Sequence, residues 1–287
     1  PGDANDASPS SSLAMISARF KFHGTAAHAA AAPDRGRSAL DGLESMDYMV
    51  NMMREHVPQE TRIHYAIFKG GQASNIVPDY AEAEYTVRHP DMRVLQGIWQ
   101  RVLDASKGAA MGTGTTVEHE IVSSYWNVLP LETLSAVAEK NLRRVGGFDY
   151  TPEEQAFAEK LRATVIGPVN PIGSQRDVQP SKYSVGVAST DMGDISWNVP
   201  TVQIRAATFV PGVPAHSWQA VACTGMSIGF KGMMVAAKTL ALTTQELYQQ
   251  PGTITKAHEE FLKKRGGADF KYTSVMGDMK PALDFRK

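Results

Sequence analysis

The sequence is poor in cysteine, since Cys223 is the only one among 287 residues. A single thiol excludes an internal disulfide and also excludes a metal cluster held by several thiolates. Chains without disulfides are typical of reducing compartments, so the sequence predicts a cytoplasmic protein.

Long apolar runs and an excess of charge are also lacking. The longest apolar stretch, residues 233–242, contains Lys238 and is shorter than the about 20 residues that a membrane span needs. The first residues lack the charged and apolar segments of a signal peptide. With a formal net charge of -1 and no basic run, the chain has no electrostatic case for nucleic-acid binding. We therefore expect neither a membrane nor a nucleic acid as partner.

The hydrophobic share of 43% is enough for real cores, and its patterning divides the chain. Residues 1–12 are small and polar, which predicts a linker. Residues 13–124 then read as strand, helix, strand, strand, helix, strand, because apolar residues alternate in four segments and follow a helical period in two. This order is the split βαβ, ferredoxin-like pattern. It predicts both helices on one face of the sheet, with the other face or an edge strand free to pair with a second copy.

Residues 125–287 have a different character. The pattern predicts helices over residues 131–145 and 152–165, a surface loop over 166–185 and a strand over 199–209. Residues 227–250 form a long, mostly apolar helical segment, which we expect to be packed on both sides. A short helix near residues 258–264 and an irregular tail complete the prediction.

Three residues of the first region could carry chemistry. His28 lies in a run of alanines after a strand, Asn75 lies just before a strand, and Arg88 ends that strand on its polar face. His28 could donate a hydrogen bond to an oxyanion or to a substrate carboxylate, Asn75 could bind a ligand through its amide, and Arg88 could bind a carboxylate through two hydrogen bonds. Each also has a plain structural interpretation: a His in a polar turn, an Asn capping its own turn, and an Arg paired with Glu82 or Glu84.

The second region offers two acids and a loop histidine. Asp191 and Asp194 are three residues apart in a glycine-containing turn, where they could cap a helix or support a metal-bound His. His216 follows Gly212 in a proline-rich loop, where a lone His is more often structural. None of the eight histidines has the spacing of a local metal motif, so spacing alone does not predict a self-contained metal site.

Taken together and in order, four segments resemble the aminoacylase and carboxypeptidase-G family of amidohydrolases, with auxin-conjugate hydrolases as more distant members. They are residues 22–41, Asn75-Ile-Val-Pro78 with the strand to Arg88, Ser189-Thr-Asp-Met-Gly-Asp-Ile-Ser-Trp197, and Gly212-Val-Pro-Ala-His-Ser-Trp218. The resemblance implies an α+β fold, in which a ferredoxin-like lid or dimerisation domain (residues 13–124) adjoins the C-terminal part of a zinc-peptidase-like α/β catalytic domain (residues 125–287).

The resemblance also implies roles. His216 matches the last metal-binding His, and His28 matches a lid His that stabilises the oxyanion in the partner subunit's site. Asn75 and Arg88 match lid residues that hold a substrate carboxylate, and Gly212 matches a glycine near the substrate. Two divalent ions, zinc or manganese, are implied as cofactors, and Asp191 and Asp194 are expected only to support the site.

In this family the other metal ligands and the catalytic Glu precede the lid, so we expect the chain to be a C-terminal portion that starts at Pro1 as a fragment or processed product. The intact protein is expected to cleave N-acyl amino acids such as p-aminobenzoyl-glutamate, as a homodimer or a heterodimer with a related subunit. The chain alone is expected to be inactive. Two alternatives stay open: a non-catalytic dimerisation module and a small-molecule binding domain.

Overall fold

A computed structural model of the chain describes residues 1–167 and 170–277. Parts of the predicted 166–185 loop and of the irregular tail therefore lie outside the described residues. The chain divides into two compact units. The first contains Pro1–Ser10, Leu129–Ser184 and Asn198–Phe270; the second contains Ser11–Val128, Val185–Trp197 and the described residues from Lys271 onward.

The second unit is built on an antiparallel sheet. After the short strand β1 (Ser10–Ser11), the chain forms β2 (Ala14–His23), α1 (Ala39–Met53), β3 (Arg62–Lys69), β4 (Tyr80–His89), α2 (Met92–Thr113) and β5 (Thr116–Tyr125). The strand order is β3-β4-β2-β5. This is the ferredoxin-like arrangement that the sequence predicts, so the fold class is confirmed.

Alternation along the strands explains this core. In β2 the side chains of Ile16, Phe20 and Phe22 are buried, and α1 and α2 pack against β2 and β4 on that side. The helices begin where side chains can accept from free backbone N–H groups: Ser38 caps α1 and Asp91 caps α2. One face of the sheet is therefore covered and the other carries the polar residues.

The first unit is mainly helical. Its helices are α3 (Glu132–Val145), α4 (Pro152–Arg162), α6 (Trp218–Thr224), α7 (Ser227–Gln249) and α8 (Pro251–Arg265), while α5 (Met192–Ser196) belongs to the second unit. The strand β6 (Ser184–Val185) pairs with β1. The helices predicted over 131–145, 152–165 and 227–250 are present with small changes at their ends, and the helix near 258–264 is longer than predicted.

The prediction for residues 199–209 is wrong, because they form no regular strand. They meet the first residues of the chain only at isolated bridges, Gly2 with Ala207 and Asp6 with Arg205. An alternating apolar pattern specifies a strand only when a neighbour supplies a continuous ladder. The described residues supply only these single pairings.

The prediction of a linker over residues 1–12 is also wrong, because residues of this range are held against the segment 199–209. Asn5 is fully buried and donates from its side-chain amide to the carbonyl oxygens of Gln175 (2.8 Å) and Asp177 (3.3 Å). Its Oδ1 accepts from the backbone N–H of Ala207 at 3.0 Å. One side chain thus joins three chain segments by satisfied buried hydrogen bonds, which composition alone cannot reveal.

In the described ranges no single helix is long and apolar enough to cross a membrane. The helices α6 and α7 pass that test only as a pair, and they are bent by 71° at the break between them.

A buried carboxyl lies between α1 and the sheet. Asp47 is 6% exposed and accepts a hydrogen bond from the hydroxyl of Tyr85, which is fully buried and stacks on Tyr65 at 5.0 Å. Burial raises the pKa of Asp47 above its ordinary value, although the Tyr85 hydrogen bond opposes this. Because the pKa of Asp47 is higher in the folded state than in the unfolded state, the contribution of Asp47 to folding stability is present below its unfolded-state pKa. That contribution is lost as pH rises through its folded-state pKa.

The substitution Asp47→Asn should therefore change the pH dependence of folding. Asn keeps the acceptor for Tyr85 but cannot ionise, so the variant should gain stability relative to the native chain as pH rises from about 4 to about 7. The midpoint of urea unfolding at several pH values measures this. Asp104→Asn, at an exposed position, is the control, and a constant difference between Asp47→Asn and the native chain would contradict the account.

Candidate functional site

Two loops of the second unit bring His28 and Asn75 together. The loop after β2 pairs with the loop between β3 and β4 through a bridge between His28 and Ile76. The backbone N–H of Ala29 donates to the carbonyl of Asn75 (2.9 Å), and that of Val77 donates to the carbonyl of Ala27 (2.9 Å). The side chains of both His28 and Asn75 are exposed on this double loop.

Backbone hydrogen bonds select the tautomer of the His28 ring. Its Nδ1 accepts hydrogen bonds from the N–H groups of Ala30 (3.3 Å) and Ala31 (3.1 Å). A ring nitrogen that accepts carries no proton, so the neutral ring has its proton on Nε2. The exposed His28 therefore offers an Nε2–H donor to a ligand.

A cavity of about 450 Å³ lies next to the double loop. Phe68, Ile76 and Tyr80 supply apolar walls, and Lys69 and Asp79 supply charges. Its size falls in the usual range for small-molecule sites. Ala26 and Ile76 line it, so this space lies beside the loop that carries His28, but neither His28 nor Asn75 is among its walls.

Arg88 lies far from this double loop within one chain. β2 and β4 are antiparallel with His23 opposite Tyr80 and Ala14 opposite His89. The double loop follows the His23 end, whereas Arg88 lies near the other end of β4. The eight steps along the strand from Tyr80 to Arg88 span about 27 Å. The chain thus brings His28 and Asn75 together and does not bring Arg88 to them.

The surroundings of Arg88 suit an anion. Glu82 and Glu84 pair with Arg19 (3.5 and 3.4 Å), so the expected alternative of an Arg88 pair with either acid is not observed. In residues 1–167 and 170–277 its Nε is buried without a hydrogen-bond partner. Arg62 lies directly opposite Arg88 on the neighbouring strand β3. Two like charges in that position repel each other unless an anion binds between them.

Sequence reasoning missed Arg62. It begins β3 where Arg88 nears the end of β4, and only the register of that pair makes them neighbours. Its guanidinium also donates to the carbonyls of Gln59 (2.8 Å) and Thr61 (2.9 Å), which hold it in place. The alternation of polar residues in both strands was the available signal, but register is not readable from one sequence.

Gly212 and His216 lie in the first unit, in the loop before α6. Gly212 has φ 89° and donates its N–H to the carboxylate of Asp3 at 3.1 Å. His216 is exposed and has φ 58°, an uncommon conformation for a residue with a side chain. Ser217, the next residue, caps α6 by accepting from Ala220 at 3.1 Å. The backbone conformation at His216 is therefore fixed by the loop and by the cap of α6, and its side chain is exposed.

The described residues do not fit a complete metal site. Within 1–167 and 170–277 no group of three His, Cys, Asp or Glu side chains could hold an ion. A catalytic zinc takes three protein ligands, and His216 offers one. The chain could therefore contribute a single ligand to a centre completed by other residues.

The two acids of the 189–197 segment have structural contacts. Asp194 accepts from the backbone N–H of Trp126 at 2.9 Å, and burial raises its pKa. Asp191 accepts from the Thr190 hydroxyl at 3.3 Å. A role for either in supporting a metal-bound His stays a prediction.

Comparison with known proteins agrees with this architecture. The sequence profile of a family described as a peptidase dimerisation domain matches residues 13–111. Residues 13–111 belong to that family. The resemblance predicted from the sequence is thereby confirmed, since the matched region contains β2, α1, β3, β4 and most of α2 of the ferredoxin-like arrangement.

Relatives extend the likeness beyond this domain. The chain is 36% identical to one of the subunits of p-aminobenzoyl-glutamate hydrolase from Escherichia coli (strain K12), over 86% of the chain and 57% of that protein. It is 29% identical to the Xaa-Arg dipeptidase of Mus musculus, over 84% of the chain and 50% of that protein. The chain thus spans about half the length of these curated relatives.

Solved structures show the same fold at low identity. An aminobenzoyl-glutamate utilization protein from Klebsiella pneumoniae superposes with a TM-score of 0.53 and 17% identity, covering 84% of this chain and 50% of that one. Aminopeptidase PepT from Bacillus cereus gives 0.53 at 13% identity, covering 85% and 55%. At these identities the likeness shows a shared fold and nothing more.

Metal titration of this chain tests the incomplete centre. We expect at most one weakly bound zinc ion per chain, because one imidazole cannot replace three ligands. Equilibrium dialysis measures the stoichiometry. His216→Ala should remove the weak binding and His258→Ala should leave it. Tight binding of two ions would contradict this account.

Proposed function

We propose that this chain is part of a metal-dependent amidohydrolase that cleaves the amide bond of N-acyl amino acids. The observation that carries the proposal is the 36% identity with the p-aminobenzoyl-glutamate hydrolase relative over most of the chain. The Xaa-Arg dipeptidases among the relatives support the same class, since both names denote an amide whose leaving side is an amino acid.

In this proposal His28 stabilises the negative charge that develops on the amide oxygen. The Nε2–H donor, with Nδ1 held by Ala30 and Ala31, suits that task because a donor fixed in advance needs no reorganisation during reaction. One such donor commonly lowers the barrier by about 3 to 4 kcal/mol.

Arg88 would bind the carboxylate of the amino-acid part. Its buried Nε without a partner among the described residues supports this role, and Arg62 would add a second positive charge. Guanidinium groups hold carboxylates by paired hydrogen bonds. Asn75, on the loop of His28, would bind the ligand through its amide, and the N–H of Gly212 lies in the loop of the metal-site candidate His216.

The separation of about 27 Å along β4 implies an assembly of two chains. One chain would supply His28 and Asn75 and its partner would supply Arg88, in a homodimer or in a heterodimer with a related subunit. The match to a dimerisation domain supports this, and so does the weaker likeness to the other kind of subunit in the same Escherichia coli hydrolase.

The cofactors proposed are two divalent ions, zinc or manganese, in the complete enzyme. Because the described residues offer only His216, the other ligands and the general base would come from polypeptide that this chain does not contain. The isolated chain should therefore show no turnover. A cytoplasmic location stays a prediction.

Substitution of His28 in the complete enzyme tests the proposal. His28→Ala should lower kcat for p-aminobenzoyl-glutamate about a hundredfold or more, with little change in thermal stability, since an oxyanion donor is lost. His28→Asn is the matched variant, because a short side chain can still accept from Ala30 and Ala31 but cannot place the Nε2–H.

Equal loss in both variants at unchanged stability supports the oxyanion role. If kcat survives in His28→Ala, the role is wrong; if the complete native enzyme cleaves no N-acyl amino acid, the proposed function is wrong. A non-catalytic or ligand-binding module would instead bind an amino acid without turnover.

A further inference from the structure

Two arginines occupy neighbouring positions on the face of the sheet that the helices leave uncovered. Arg62 in β3 lies directly opposite Arg88 in β4. The next residues in the two strands, Ile63 and Val87, are buried on the helix side, so both arginines belong to the other face, because side chains alternate along a strand. Opposite residues of an antiparallel pair have Cβ atoms about 4.5 to 5.5 Å apart. Two guanidinium groups, which always carry their charge, are therefore kept near each other.

This end of the uncovered face has no acid to balance the arginine pair. Two rows of side chains cross the sheet here, one at Arg88 and one at the preceding residue of the same face. Their other members are Met15, Tyr125, Thr86, His64 and Ser17. The acids farther along β4, Glu82 and Glu84, pair with Arg19. Within residues 1–167 and 170–277, neither Arg62 nor Arg88 has a carboxylate within 4.0 Å.

Both arginines retain unused hydrogen-bond donors in the part of the chain that the structure describes. The Nε of Arg88 is buried without a partner there, and a buried charged donor that lacks an acceptor is costly. Arg62 uses Nη1 to donate to the carbonyls of Gln59 (2.8 Å) and Thr61 (2.9 Å), which fixes its side chain and leaves Nε and Nη2 for a ligand. The pair is thus arranged in advance for an acceptor that also brings negative charge.

The charge of the pair distinguishes among possible substrates. A substrate with one carboxylate brings one negative charge to two fixed cations, whereas a substrate with two carboxylates neutralises both. A neutral side chain would leave Arg62 unpaired, and a cationic side chain would be repelled by it. A dicarboxylic amino acid holds its two acid groups a few ångströms apart, so each can meet one guanidinium of the pair.

We propose that Arg62 is a specificity-determining residue that binds a second carboxylate of the substrate. The leaving amino acid is then a dicarboxylic one, of the glutamate or aspartate type, with its α-carboxylate on Arg88 and its side-chain carboxylate on Arg62. The inference rests on the proposed function for the amide chemistry, but the preference of the pair for two carboxylates can be measured without turnover.

Inorganic phosphate is the other anion that guanidinium groups bind well. The two guanidinium groups come from separate strands, so two separate acid groups reach them more readily than one compact phosphate does. Phosphate sites also commonly add backbone N–H donors from a helix N-terminus, and Arg62 and Arg88 both lie within strands. The observations therefore favour a dicarboxylate, and phosphate serves as a competitor in the test.

Calorimetric titration of the complete enzyme with glutarate and with glutaramate tests the second-carboxylate site. Glutarate has two carboxylates and no amide bond, so the enzyme cannot cleave it. Glutaramate has nearly the same shape, with a neutral amide in place of one carboxylate. The native enzyme should bind glutarate about thirtyfold or more tightly than glutaramate, since a hydrogen bond between charged groups contributes that much.

Variants of Arg62 assign this preference. Arg62→Gln should reduce the ratio of the two Kd values to about threefold or less by weakening glutarate, because one charged partner is lost. Arg62→Lys should keep part of the ratio, since lysine retains the charge but not the paired donors. Lys107→Gln is the matched control, because it removes an exposed positive charge from α2, on the opposite side of the sheet. Circular dichroism checks that each variant is folded.

Five results would overturn the proposal: no binding of glutarate to the native enzyme, equal binding of glutarate and glutaramate, an unchanged ratio in Arg62→Gln, equal weakening of both ligands in Arg62→Gln, or phosphate binding as tight as that of glutarate. Hydrolysis of p-aminobenzoyl-glutamate and p-aminobenzoyl-glutamine by the same samples tests the proposed function separately. A ratio that depends on Arg62 in an enzyme that cleaves neither amide refutes the function alone. Cleavage of both amides with equal kcat/KM, together with a ratio that ignores Arg62, refutes the second-carboxylate site alone.

Discussion

The antiparallel register of β2 and β4 is the constraint on which the functional interpretation depends. It places the loop that follows β2 at one end of the sheet and Arg88 at the other. The sheet is held by buried Phe20, Phe22 and Tyr85 on its helix side, so this distance cannot close without unfolding the domain. Under the proposed function, His28 and Arg88 would then come from two chains, and dimerisation would be a condition for a complete site.

The same constraint explains the local chemistry. A loop that ends a strand can fold back on its neighbour, and the backbone N–H groups after His28 are left free to bind Nδ1. At the other end, Arg88 on β4 and Arg62 on β3 lie opposite each other, while the nearby acids Glu82 and Glu84 pair with Arg19 instead. A donor and a cationic pair therefore occupy opposite ends of one rigid element.

Much of the second unit could be predicted from the sequence, because alternation in β2 and helical periodicity in α1 are local signals. Ser38 and Asp91, whose side chains cap α1 and α2, are local signals of the same kind. The strand prediction for residues 199–209 failed because a ladder needs a partner strand. The burial of Asn5 was not predicted because its hydrogen-bond partners, two carbonyl acceptors and one N–H donor, lie about 170 to 200 residues away.

The same distinction between local signals and long-range contacts applies to the candidate site. His28, Asn75, Arg88 and His216 were predicted from the resemblance of short segments, whereas the separation of Arg88 from His28 and Asn75 required the strand register. Arg62 was missed because its relation to Arg88 exists only across two strands. The expectation that α7 is packed on both sides is wrong within the described residues, since Phe230 and Met233 are each 55% exposed. The covered face is the one on which Gly232 packs against Ala207.

The most direct measurement is a complementation assay in the complete enzyme. His28→Ala and Arg88→Ala variants, each inactive alone, are mixed, allowed to exchange protomers and assayed for hydrolysis. If each site takes His28 from one chain and Arg88 from the other, half of the dimers are mixed and hold one intact site, so about a quarter of native activity should return. If the mixture stays inactive although mixed dimers form, His28 and Arg88 do not act across two chains, and the central claim is contradicted.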